Sequence, residues 1–133
     1  IELAPDYSIS RLIKGGWHLA GGHGAVDPAQ ACRDMAEFVD AGVTAFDCAD
    51  IYTGVEELIG RFRLEYPEHA KRIRVHTKFV PDLDRLGVVD RAYVEEIVDR
   101  SCRRLGVERL DLVQFHWWDY GVPRYVEIAL ELE

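Results

Sequence analysis

The chain has 133 residues, of which 48% are apolar and 30% charged, with 16 Lys plus Arg against 24 Asp plus Glu and a net charge of −8. That balance belongs to a folded globular chain and excludes a disordered one. With no run of about 18 apolar residues there is no helical membrane span, and an acidic surface repels phosphate backbones, so neither a membrane nor a nucleic acid is an expected partner. The cysteines Cys32, Cys48 and Cys102 match neither zinc-ligand spacing nor a disulfide framework, and a reducing, cytoplasmic home is expected. A start at Ile1 and an end at Leu132-Glu133, inside a helical pattern or a cloning scar, read as a fragment.

In chain order, Arg11-Leu12-Ile13-Lys14 is a short strand closed by Gly15-Gly16. A glycine-rich loop leads to Asp27-Pro28, an N-cap followed by proline at the first helical position. Cys32, Met35, Ala36 and Val39 follow at helical spacing and Gly42 stops the helix, which spans about 28 to 40. Val43-Thr44-Ala45-Phe46 is a strand, and Val55, Leu58, Ile59 and Phe62 predict a second helix to about Leu64. Ile73, Val75, Thr77 and Phe79 alternate with Arg74, His76 and Lys78 as a third strand. Asp90 caps a helix whose stripe is Val94, Ile97, Val98, Ser101 and Leu105, ended by Gly106; Arg100-Ser101-Cys102-Arg103-Arg104 reads as its solvated face. Leu110 to Phe115 is the fourth strand, and Pro123 opens a last helix.

Strand starts near 12, 43, 73 and 110 are about 30 to 37 residues apart, each strand followed by a helix, which requires parallel pairing through right-handed crossovers in the order 1-2-3-4. Two α/β folds satisfy this: a small doubly wound sheet, or the first half of a (β/α)8 TIM barrel, which when whole needs roughly 250 residues. The loop from Gly15 to Gly24 lacks both G-x-G-x-x-G and the lysine of a P-loop, which favours the half barrel, with about four βα units over residues 1–133 and the C-terminal half absent.

Asp47 lies just past strand two, Lys78 at the end of strand three, His116 just past strand four, and Tyr52 in the loop after Asp47. Parallel barrel strands deliver their C-terminal ends to one rim, so these four residues are expected in one pocket. There Lys78 pairs with Asp47, and a cation beside a phenol makes Tyr52 a better proton donor. Taken singly, each has a plainer reading: a turn cap for Asp47, a surface strand residue for Lys78, packing for Tyr52, a rim hydrogen bond for His116.

Phe46-Asp47-Cys48-Ala49-Asp50-Ile51-Tyr52 resembles the Asp-x-Ala-x-x-Tyr signature of the aldo-keto reductase family. Val75-His76-Thr77-Lys78 is similar to that family's strand-three lysine segment, and Leu110 to His116 to its strand-four segment ending in the active-site histidine. Leu105-Gly106 resembles the lead-in to that strand, and Gly16-Trp17 the loop after strand one that lies beside the cofactor; Cys48 stands where many members have Thr or Ser. The resemblance covers essentially the whole chain. It implies reduction of aldehydes and ketones by NADP(H), with NAD(H) as the alternative cofactor. Tyr52 would be the general acid, Lys78 its tuning cation, Asp47 the partner of Lys78 and a neighbour of the nicotinamide ribose, and His116 the group that orients the carbonyl. Gly16 and Trp17 would join Asp47 at the cofactor, and Trp17, Tyr52 and Trp117 would wall the pocket for a small carbonyl substrate.

In that family most of the dinucleotide is held by the second half of the barrel, so either a C-terminal half or a second copy in a homo-oligomer is expected to complete the fold. His18 and His23 lack a third ligand, and no metal is expected. Two other functions suit the same residues: a regulatory, non-catalytic relative, as with potassium-channel β subunits, and a Schiff-base lyase using Lys78.

Overall fold

The computed structural model describes residues 1–22 and 24–133. The chain opens on an antiparallel hairpin of β1 (Glu2–Ala4) and β2 (Tyr7–Ser8), turned at Asp6 with φ of 64°. Then β3 (Ile13–Gly15), α1 (Pro28–Asp40), β4 (Ala45–Asp47), α2 (Val55–Glu65), the short α3 (Pro67–Ala70), β5 (Arg74–Phe79), α4 (Arg91–Leu105), β6 (Leu112–Phe115) and α5 (Tyr125–Leu130) follow, with 3-10 turns at Trp17–Ala20 and Leu83–Val88. Strands β3 to β6 form one parallel sheet in the order β3-β4-β5-β6. This is the α/β arrangement the strand spacing predicts, and no helix is long and apolar enough to cross a membrane among the described residues.

The local signals act where they were expected. Asp27 accepts from the amides of Ala29 (2.9 Å) and Gln30 (3.3 Å), ahead of proline in the first turn of α1; Asp90 accepts from Tyr93 N at 2.9 Å to start α4. Each such cap contributes about 1 kcal/mol. Gly106, at φ of 68°, ends α4 in the left-handed conformation. Each strand starts one or two residues later than its expected run, and β3 and β4 continue one residue further, to the rim where Gly15 faces Asp47. The last helix begins at Tyr125 rather than Pro123, after Arg124 takes a φ of 83°.

Strand alternation sorts the side chains into two layers. Phe46 and Val75 enter the core beneath α1 and α2 with Met35, Val39, Leu58 and Phe62. Phe79 joins a second core under α4 and α5 with Val94, Ile97 and Ile128, against which Val113 and Phe115 pack. The opposite parity, Asp47, His76, Lys78 and Gln114, faces the other side of the sheet. His76 is buried there, shares a 3.1 Å hydrogen bond with the Tyr7 hydroxyl, and has its pKa lowered by that burial.

The arginine face of α4 differs from expectation. Arg103 is exposed, but Ser101 is buried, Arg100 pairs with Asp50 at 3.2 Å, and Arg104 pairs with the fully buried Glu56 at 3.3 Å. A lone solvated reading of the run missed that two acids on neighbouring elements require cations. Helices α2 and α4 approach closely at Gly60, where a Cβ would collide with the Arg104 carbonyl oxygen. Gly60→Ala is therefore expected to destabilise by about 1–3 kcal/mol, the usual cost of overpacking, read as a lowered urea midpoint with unchanged slope.

Candidate active site

The C-terminal ends of β4, β5 and β6 meet at one rim. Lys78 Nζ donates to both carboxylate oxygens of Asp47 and to the Cys48 carbonyl, each at 2.8 Å. These three contacts use the three donors of an ammonium. Lys and Asp are only partly exposed, so the ion pair is screened less than a surface pair and either partner alone would be a poorly solvated charge. Gln114, opposite Lys78 in the register, adds a 2.9 Å hydrogen bond from Nε2 to Asp47 Oδ1. Gln114 was not anticipated, although it stands two residues before His116 on the same strand face.

Tyr52 follows a turn in which its amide bonds the Ala49 carbonyl at 3.0 Å. Its ring lies 5.0 Å from Lys78 Nζ, a cation–π distance, and meets the Trp17 ring edge-on with centroids 4.9 Å apart. Tyr52, Lys78, His116 and Trp17 line one cavity of about 360 Å³, completed by Ala49, Ile51, Val80 and Trp118. Asp47 stands behind Lys78. Gly16 is buried beside them: its amide bonds the Asp47 carbonyl at 2.7 Å, and a Cβ there would meet that same oxygen at 2.7 Å. Only glycine lets β3 close on the rim at this point.

Of the residues read from sequence, Asp47, Tyr52, Lys78, His116, Gly16 and Trp17 come together. Trp117 does not. It is 3% exposed, stacks on Phe115 with centroids 5.7 Å apart, and donates to the Val122 carbonyl at 3.2 Å. The pocket wall is Trp118, 47% exposed, edge-on to His116 at 4.6 Å and anchored by Nε1 on the Pro81 carbonyl at 2.8 Å. The physical reason is parity: Trp117 continues the side of Val113 and Phe115, which faces the helices, whereas Trp118 continues the side of Gln114 and His116.

A larger cleft, about 560 Å³, lies between the β3 edge and α1, and neither Tyr52, Lys78 nor His116 reaches it. Among the described residues no three His, Cys, Asp or Glu side chains converge as metal ligands; Lys14 Nζ is 3.1 Å from His18 Nε2, and His23 lies outside the described residues. Burial pushes the Cys48 thiol up to about 12, which makes it an inert core residue.

Two residues before Tyr52, Asp50 is buried; its Oδ1 accepts from Val80 N at 3.1 Å. Burial pushes its carboxyl up to about 6, against the opposing pull of Arg100. A carboxyl raised above its unfolded value favours folding while protonated, so the stabilisation it gives is complete below pH 3.8 and is lost as pH rises through about 6. Asp50→Asn should accordingly gain on the wild type across that window. Urea unfolding of both proteins at the two ends of the window checks this, and a constant difference would contradict it.

The family model for the aldo/keto reductase family matches residues 11–133. The chain is 31% identical over 120 residues to aldo-keto reductase YhdN of Bacillus subtilis (strain 168), covering 86% of this chain and 36% of that protein. It superposes on the glycerol dehydrogenase AKR11B4 from Gluconobacter oxydans with a TM-score of 0.75 and 29% identity, over 96% of this chain and 41% of that one. On the aldo-keto reductase from Klebsiella pneumoniae, solved in complex with NADPH, the TM-score is 0.67 and the identity 26%, over 90% of this chain and 40% of that one. The chain thus spans less than half the length of these relatives, as a partial (β/α)8 barrel does. By sequence and by fold, it belongs to the aldo-keto reductase family.

Proposed function

We propose that the barrel to which these residues contribute reduces aldehydes and ketones to alcohols with NADP(H), or NAD(H) in its place. The observation that carries this reading is the Lys78 ammonium, fixed by Asp47 and Cys48 and standing 5.0 Å from the Tyr52 ring in a cavity shared with His116. A cavity of about 360 Å³ suits a nicotinamide ring beside a small carbonyl compound. Gly16, Trp17 and Asp47 would hold the nicotinamide end. When bound, the cofactor supplies hydride.

The chain's own residues do the rest. Tyr52 gives its hydroxyl proton to the carbonyl oxygen, and the charge left on the phenolate is stabilised by Lys78, which Asp47 and Gln114 keep in place. His116 donates to the same oxygen and sets the face it presents. Trp17 and Trp118 exclude water from the apolar flanks. A fixed ammonium with all three donors engaged suits this role better than that of an amine nucleophile, which speaks against a Schiff-base lyase.

The test is NADPH consumption by the complete protein with a panel of small aldehydes and ketones. Saturable turnover with alcohol as product is expected. Borohydride trapping of a substrate on Lys78 would support the lyase instead, and tight NADPH binding without turnover would support a regulatory relative.

A further inference from the structure

The arginine pair on α4 has no part in the chemistry above, yet it touches both arms of the site. Arg104 donates from one guanidinium nitrogen to the main-chain carbonyl of Asp50 (2.9 Å) and to Glu56 Oε2 (3.3 Å), while its Nε pairs with Glu57 at 2.8 Å. The other oxygen of Glu56 accepts from the hydroxyl of Thr77 at 2.7 Å. One turn earlier, Arg100 holds one carboxylate oxygen of Asp50 (3.2 Å), whose partner oxygen takes the Val80 amide.

The placement of the acceptors is what matters. Asp50 is two residues before Tyr52. Thr77 and Val80 flank Lys78, one residue before it and two after. The two arginines stand at i and i+4 on a single helix, so a rigid α4 face holds the loop bearing the tyrosine and the strand end bearing the lysine in one frame. Glu56 is fully buried, and an unpaired carboxylate there would be costly, so its pairing with Arg104 and Thr77 is a fixed junction and not a fluctuating surface contact. The close approach at Gly60 brings α2 near enough for it.

We propose that Arg104, with Arg100, is a positioning residue of this site: through Asp50 and Glu56 it fixes the Tyr52 loop against β5 and so sets the placement of the Tyr52 hydroxyl relative to Lys78. The proposal rests on Tyr52 being the proton donor. A guanidinium is needed, because one of its nitrogens reaches the Asp50 carbonyl and the Glu56 carboxylate while its Nε holds Glu57; a single ammonium nitrogen satisfies the charge of Glu56 but does not span all three acceptors.

Two variants of the complete protein test it. Arg104→Lys keeps the charge opposite Glu56, and the double change Arg104→Met with Glu56→Gln leaves no buried carboxylate unpaired while keeping an acceptor for Thr77. Both are expected to lower kcat about tenfold or more, in keeping with the cost of small misplacements, with KM for the carbonyl and Kd for NADPH within about twofold of wild type. Placed on top of Tyr52→Phe, neither should lower kcat further, because the group being positioned is gone. In hydrogen exchange, the amides of residues 51–54 should exchange about tenfold faster in both variants while those of α1 are unchanged. Wild-type kcat in both variants, or an equal loss added to Tyr52→Phe, overturns the proposal. Should the wild type reduce no carbonyl at all, the functional reading fails on its own, and unchanged exchange of residues 51–54 would then overturn the clamp as well.

Discussion

Tyr52→Phe in the complete protein is expected to lower kcat for aldehyde reduction at least ~10²-fold, about 3 kcal/mol of transition-state stabilisation, the lower end for losing a general acid. The change removes one oxygen. The ring remains, and with it the edge contact to Trp17 and the position under Lys78 Nζ, so the fold and the pocket wall are kept. NADPH affinity should stay within about twofold, because an interaction made only as the proton moves does not contribute to ground-state binding. The measurement is steady-state turnover beside a fluorescence titration with NADPH and a thermal scan. Unaltered binding and unfolding with kcat near that of the wild type would take Tyr52 out of the role and leave His116, at the same cavity, as the acid to test.

Much of this site was legible in sequence because strand ends in a parallel sheet are chemically marked. Asp47 and His116 each follow the apolar run of a strand, Lys78 is the last polar residue of an alternating one, and the register then sets Lys78 beside Gln114 and His76 beside Asp47. Period-two alternation would have carried the reading further. It separates Trp118 from Trp117 and points to Gln114, but it needs a strand reference, and the apolar run from Leu110 obscured which residues of β6 face the helices. The hairpin of β1 and β2 gave only a Pro5-Asp6 turn between strands of three and two residues, too little pattern to distinguish from a loop. Buried ionic pairs were the least legible. Glu56 sits in what reads as an acidic first turn of a helix, and only the tertiary approach of α4 shows that it is enclosed and answered by Arg104.

The 133 residues expressed by themselves are expected to self-associate and to show no saturable NADPH binding below about 1 mM, less than about 4 kcal/mol of affinity. Among the described residues β3 and β6 each pair on one side only, which leaves two open sheet edges able to template further strands. At the β3 edge Leu12 is 71% exposed and Ile13 47%, so apolar surface accompanies that edge. The cofactor faces a separate difficulty. The cavity at Tyr52 is sized for the reacting end of a dinucleotide, and its one ammonium is already committed to Asp47 and Cys48. Among the described residues no other lysine and no arginine lines that cavity to meet a pyrophosphate. Binding energy from the remote parts of a cofactor is what positions its reacting end, so these residues alone lose both affinity and turnover. Titration with NADPH by fluorescence, with the size in solution measured on the same sample, decides the matter. A monomer that binds NADPH at micromolar concentration would show that four βα units suffice for the site and that the open edges are tolerated.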